Sequence, residues 1–86
     1  MTIEIATIEK NKIEELRVAL KEYKGHHYID IRTYCDRYAD QGQGRLRTKK
    51  GVALAVTKLP ELIAALQQAE SQARAAGLLP NQDRAA

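Results

Sequence analysis

The chain has 86 residues, 44% of them apolar, a formal net charge of +3 and a single cysteine. That length allows one domain with a thin core, because a chain this short buries only roughly 60–65% of the surface it exposes when unfolded. Its only aromatic residues are four tyrosines, so the core must come from Ile, Leu, Val and Ala, and association between copies is expected to bury what one copy leaves open. One cysteine excludes an internal disulfide, no apolar run is long enough to span a membrane, and no signal-peptide pattern is present. A cytoplasmic protein is expected, nucleoid-associated if bacterial.

Charge is unevenly placed. Residues 17–50 hold nine basic and four acidic residues, a net of +5, while the remainder nets −2. A basic middle between mildly acidic ends is either a polyanion-binding face or an ordinary solvated surface, and charge alone does not choose between them.

In chain order, Ile3 and Ile5 alternate within residues 2–10, which predicts a short extra strand or an extended arm, and residues 9–12 read as a connection. Residues 13–23 are ambiguous. Ile13, Leu16 and Leu20 fit helical spacing among good helix formers, whereas Leu16, Val18 and Leu20 alternate as a strand would. A turn at Lys24-Gly25-His26 followed by an unmistakable strand favours a hairpin with this segment as its first arm. In that second strand, Tyr28 to Cys35, Ile29 and Ile31 point one way and Tyr28, Asp30, Arg32 and Tyr34 the other. Residues 36–44 form a loop, Arg45 to Lys49 a third strand with Leu46 inward, and Gly51 breaks or bends the chain before a fourth strand over residues 52–56. The outer face of that last strand is small, Ala53 and Ala55, which leaves room for something to lie against it. A helix follows over residues 58–76, with Thr57 as N-cap, Pro60 in the first turn and Gly77 beyond its end. Leu59, Leu62, Ile63, Leu66, Ala69 and Ala73 make its apolar face. The domain plan is therefore an arm or strand over 1–12, a domain over 13–77 and a disordered tail over 78–86.

The strands give two consistent faces. Leu16, Val18, Leu20, Ile29, Ile31, Leu46, Val52, Leu54 and Val56 are expected beneath the helix; Arg17, Lys21, Tyr23, Tyr28, Arg32, Tyr34, Arg45, Arg47 and Lys49 face away. A wet face bearing Tyr and Arg suits stacking on bases and pairing with phosphates. Asp30 on that cationic face reads as a structural partner for Arg32 or a nearby lysine rather than as a catalytic acid. His26, His27 and Cys35 lack the number and spacing of a structural zinc site, no activating base accompanies Cys35 as a nucleophile, and no glycine-rich nucleotide loop is present. No enzyme activity, metal or cofactor is implied.

The run Tyr23-Lys-Gly25, then Ile29-Asp-Ile-Arg-Thr-Tyr34, then Lys49-Lys-Gly51 with Val52, Leu54 and the helix start Leu59-Pro-Glu-Leu62, resembles the positive cofactor 4 family of transcriptional coactivators, in particular its short bacterial members. The likeness covers residues 13–69. It implies an α+β fold, a four-stranded curved antiparallel sheet followed by one C-terminal helix, that dimerises through the helix by Leu62, Leu66, Ala69 and Ala73. It implies single-stranded DNA bound along the sheet, in transcription, replication or repair. By position it places Lys21, Tyr23, Lys24, His26, Arg32, Tyr34, Lys49 and Lys50 on nucleic acid; the charge pattern adds Arg17, Arg45 and Arg47. Tyr23 stands where the family often has Phe, His26 where a basic residue is common, and Cys35 where many members have Trp. The serine- and lysine-rich regulatory arm of eukaryotic members is absent. The competing expectation is a dimeric adaptor of the transcription machinery whose nucleic-acid binding, DNA or RNA, is incidental.

Overall fold

A computed structural model of the chain describes residues 1–36 and 44–80. Most of the loop expected over residues 36–44, and the end of the expected tail, lie outside the described residues. Strands β1 (Thr2–Glu9), β2 (Glu14–Tyr23), β3 (His26–Cys35) and β4 (Leu46–Ala55) form one antiparallel sheet in that order. A single 3₁₀ turn, Val56–Lys58, leads into helix α1 (Leu59–Ala75).

The ambiguous segment is a strand, and the reason is its turn. Lys24 and Gly25 both have positive φ, 52° and 81°, the conformation that matches the twist of a two-residue hairpin. His26 is the first residue of β3, paired with Tyr23, so the turn is one residue shorter than the sequence implied. At the other end, Asn11 closes the β1–β2 connection: its Oδ1 accepts from the backbone N–H of Ile13 and Glu14 at 3.0 and 2.9 Å. This fixes residues 2–9 as a full strand along β2.

The third and fourth strands expected from the sequence are one. Gly51 does not end β4; it lets β4 pass through an irregularity. Arg32 pairs with Gly51 and Tyr34 with Arg47, so β4 spends four residues where β3 spends two. The Thr48 hydroxyl fills the gap, donating to the Thr33 carbonyl at 2.8 Å and accepting from the Lys50 N–H at 3.1 Å. A side chain at Gly51 would overlap the Ile31 carbonyl oxygen and lie 2.9 Å from the Arg32 Cα. Only glycine allows so close an approach.

Thr57 does not cap α1. It sits inside the 3₁₀ turn, and the cap position falls to Lys58, which makes no side-chain cap bond. Pro60 does occupy the first turn. The C-terminus closes as expected at Gly77: Leu78 N–H donates to the Ala73 carbonyl at 2.8 Å and Gly77 N–H to that of Arg74 at 3.1 Å, the Schellman pattern.

The helix covers less of the sheet than the face pattern implied. Among the described residues only Ala19, Ile29 and Cys35 are buried apolar side chains. Leu59 and Leu62 are half-buried, but Val52, Ile63 and Leu66 are 49%, 46% and 58% exposed. An apolar cleft of ≈ 380 Å³ stays open between α1 and the sheet, lined by Ile5, Val18, Leu20, Ile29, Ile31, Val56, Leu59, Leu62, Ile63 and Leu66. The radius of gyration is 15.7 Å, against about 12 Å for a compact chain of this length.

Gly51→Ala is expected to destabilise the fold by about 2–4 kcal/mol, from backbone overlap and displaced strand pairing. Gly25→Ala meets no atom within 4 Å and is expected to cost only about 1 kcal/mol, for its positive φ. Urea denaturation of both variants checks the contrast.

Candidate nucleic-acid interface

The alternation of β3 sets Tyr28, Asp30, Arg32 and Tyr34 on the face away from α1. Registry then decides what flanks them. Lys21 and Ala55 flank Tyr28, Ala19 and Ala53 flank Asp30, Arg17 and Gly51 flank Arg32, and Glu15 and Arg47 flank Tyr34. Two alanines and a glycine beside the middle of β3 hollow the surface into a groove of ≈ 350 Å³, lined by Tyr23, His26, Tyr28, Asp30, Arg32, Arg47 and Ala53.

Asp30 is the fixed point of this groove. It is 3% exposed. It accepts from Arg32 Nη2 at 2.6 Å, and Lys21 Nζ lies 3.5 Å from its other oxygen. Burial pushes the Asp30 carboxyl up, but the hydrogen bond and charge of Arg32, with the charge of Lys21, outweigh it and hold the group below the usual range. The Arg32 guanidinium is raised, chiefly by the Asp30 hydrogen bond, against burial. Arg32 also donates from Nη1 to the Lys49 carbonyl at 3.0 Å. Its Nε is buried without a partner. Asp30 is thus the structural partner the sequence implied, holding both Arg32 and Lys21.

The remaining expected contact residues divide into three groups. Tyr23, His26 and Arg47 line the groove and are exposed; Lys24 and Lys49 are exposed outside its lining, with Lys24 Nζ 5.3 Å from the Tyr23 ring centroid. Arg17 and Tyr34 are paired with each other: the Arg17 guanidinium lies 4.0 Å over the Tyr34 ring, and Arg17 Nε donates to Glu15 at 2.6 Å. Arg45 and Lys50 stand apart from the groove. Arg45 is held at the far end of the face by Glu15 at 2.8 Å, Glu9 at 3.4 Å, Asp36 at 3.7 Å and the Lys12 carbonyl at 3.0 Å. Lys50 Nζ is 4.0 Å from Glu14, whose pairing with Cys35 puts it on the opposite face. Strand alternation, which sends neighbouring side chains to opposite faces, parts Lys50 from Lys49. Glu15 is held below the usual carboxylate range, first by the Arg17 hydrogen bond, against burial, and then by Arg45.

Tyr28, read from the sequence as outward-facing but kept out of the expected contact set, lines the groove with Asp30 and Arg32. Sequence reasoning missed Glu15, whose role depends on registry with Tyr34. Cys35 is buried on the side of Leu46 and Glu14, so a cysteine there takes no ring from the groove. Among the described residues no three of His, Cys, Asp and Glu stand together as a metal site, and no helix is long and apolar enough to cross a membrane.

The family model for transcriptional coactivator p15 (PC4) matches residues 10–65. A solved structure of a PC4 homolog from Burkholderia pseudomallei is similar to this chain at a TM-score of 0.65 and 26% sequence identity, covering 78% of this chain and 86% of that one. Comparison with curated proteins gives no significant match.

Because the Asp30 carboxyl is depressed in the folded state, its contribution to stability is full above its unfolded value of about 3.9 and is lost as pH falls through the lower folded value. Stability measured by urea denaturation between about pH 6 and pH 2 is therefore expected to fall toward acid. Asp30→Asn is expected to be less stable by about 1–3 kcal/mol at neutral pH, because Arg32 loses its partner, and to show a shallower acid slope. Part of the slope persists through Glu14 and Glu15, both also depressed.

Proposed function

The chain belongs to the PC4 family of transcriptional coactivators, a nucleic-acid-binding family, and from that premise we propose that it is a non-enzymatic homodimer that binds single-stranded DNA with little sequence preference. It serves transcription, or replication and repair, in the cytoplasm. The observation that carries this reading is the groove: two tyrosines, a histidine and cations on one wet sheet face, beside a row of small residues that admits a strand. Tyr23 and Tyr28 offer rings to unstacked bases, which a duplex keeps hidden against each other. Lys24, Arg47 and Lys49 take the phosphates, giving an affinity that falls as salt rises. Lys21 and Arg32, tied to Asp30, fix the groove wall.

The dimer is supported by the apolar cleft and by the exposed helix face. Leu62, Leu66, Ala69 and Ala73 lie along α1, and Ile63 and Leu66 are half exposed in one copy. A second copy seated there would cover a surface that a lone soluble domain of this size rarely leaves open.

Fluorescence anisotropy with a labelled single strand of about 20 nucleotides, its duplex and a salt series tests the binding. Salt-sensitive binding that prefers the single strand is expected, and Tyr23→Ala is expected to weaken it about 5- to 150-fold, one stacked base being worth about 1–3 kcal/mol. No preference over duplex, or no binding near about 150 mM salt, would shift the reading to a dimeric adaptor of the transcription machinery. In analytical ultracentrifugation the wild type is expected to sediment as a dimer and Leu66→Glu as a monomer.

A further inference from the structure

A carboxylate on the face proposed to bind a polyanion is a liability unless it does something else. Glu15 is such a carboxylate, with its side chain 12% exposed. Its Oε2 accepts from Arg17 Nε at 2.6 Å and its Oε1 from Arg45 Nη1 at 2.8 Å. Glu15 pairs directly with Tyr34 across β2 and β3, while Arg17, two residues on, is the diagonal neighbour of Tyr34. The result is a guanidinium 4.0 Å over the Tyr34 ring, within the range of a cation–π contact. The Glu15 bond engages Nε, and neither Nη of Arg17 has a hydrogen-bond partner among the described residues. The Arg17 side chain is 35% exposed.

Resting on the single-stranded DNA reading above, we infer that Glu15 and Tyr34 are positioning residues for Arg17, and that the contact they present to nucleic acid is the outer face and free edge of the Arg17 guanidinium. Tyr34 does not stack on a base from this side, because Arg17 already covers it. The ring holds the guanidinium from below and the carboxylate holds it from its Nε edge. A base can stack on its open face and a phosphate can take its Nη groups. Arg45 buttresses the arrangement by holding the second oxygen of Glu15, anchored in turn by Glu9 and Asp36.

The inference reverses the simple charge expectation. Glu15→Ala removes a negative charge, so charge alone predicts tighter binding; a positioning role predicts weaker binding by about three- to tenfold. Glu15→Gln keeps one acceptor for Arg17 Nε but turns its amide N–H on Arg45, and is expected to bind between wild type and Glu15→Ala. Arg17→Lys keeps the charge, loses the plane, and is expected to weaken binding about threefold. The cycle with Arg17→Met decides the route: in that background Glu15→Ala is expected to weaken nothing further. All are measured by anisotropy on the single strand, with folding checked by circular dichroism. Wild type that fails to prefer the single strand overturns the functional reading, and this inference with it. Wild type that binds as proposed, with Glu15→Ala as tight or tighter, or weakened equally without Arg17, overturns this inference alone. Should Glu15→Ala not fold, because Arg45 loses its partner, Arg17→Lys decides, and undiminished affinity there overturns the assignment.

Discussion

The structure depends on one carboxylate buried in the middle strand. Asp30 is the centre of β3, with Ala19 and Ala53 on either side, and the small neighbours leave it no cover except its own cation partners. A buried charge is tolerated only when it is paired and hydrogen-bonded. Arg32 and Lys21 meet that demand, and in doing so they lose their freedom. Arg32 in turn lies against Gly51, where β4 comes so close that no side chain fits, and donates to the Lys49 carbonyl within the bulge. The irregular path of β4 and the ion pair of β3 are thus one arrangement: the bulge supplies the carbonyl, and the glycine supplies the room.

The two faces of the sheet answer different physical problems. The groove face meets most of its polar requirements internally, through Asp30 with its two cations and through the carboxylates around Arg45, and leaves Arg32 Nε buried without a partner. The other face does not solve its apolar ones. Its Ile, Val and Leu side chains outnumber what one helix covers, and the cleft between helix and sheet stays open. A thin core was implied by length and by the lack of Phe and Trp, and the folded chain carries the consequence as exposed Ile63 and Leu66.

Much of this was legible in the residues. Alternation in 28–35 fixes the two faces of β3, and Lys24-Gly25 fixes the hairpin that settles β2 as a strand against its helical propensity. Gly77 marks the helix end. The lost information is of two kinds. Gly51 reads locally as a break, because a glycine that ends a strand and one that lets a strand pass another backbone look alike until the partner is known. Thr57 reads as a cap, because nothing local says that the chain will already be turning at Val56. The site shows the same division. Tyr23, Arg32, Asp30 and the turning away of Lys50 follow from parity alone, whereas the pairing of Arg17 with Tyr34 and the capture of Arg45 depend on registry between strands.

That registry separates the cations into two kinds with different consequences. Arg17, Lys21, Arg32 and Arg45 each lie within salt-bridge distance of a carboxylate, and their positions are set before any ligand arrives. Lys24, Arg47 and Lys49 have no ion pair among the described residues. In the proposed reading the first kind contributes shape and the second contributes attraction. Fixed cations lose little side-chain entropy on binding but offer a charge already answered by an acid. Unpaired ones are the reverse, strongly screened by salt and costly to immobilise. A surface made only of the second kind would hold duplex and single strand alike, since both carry phosphates. On that reading it is the fixed part, a groove with tyrosine rings along it, that would give the exposed bases of a single strand something a closed duplex cannot use.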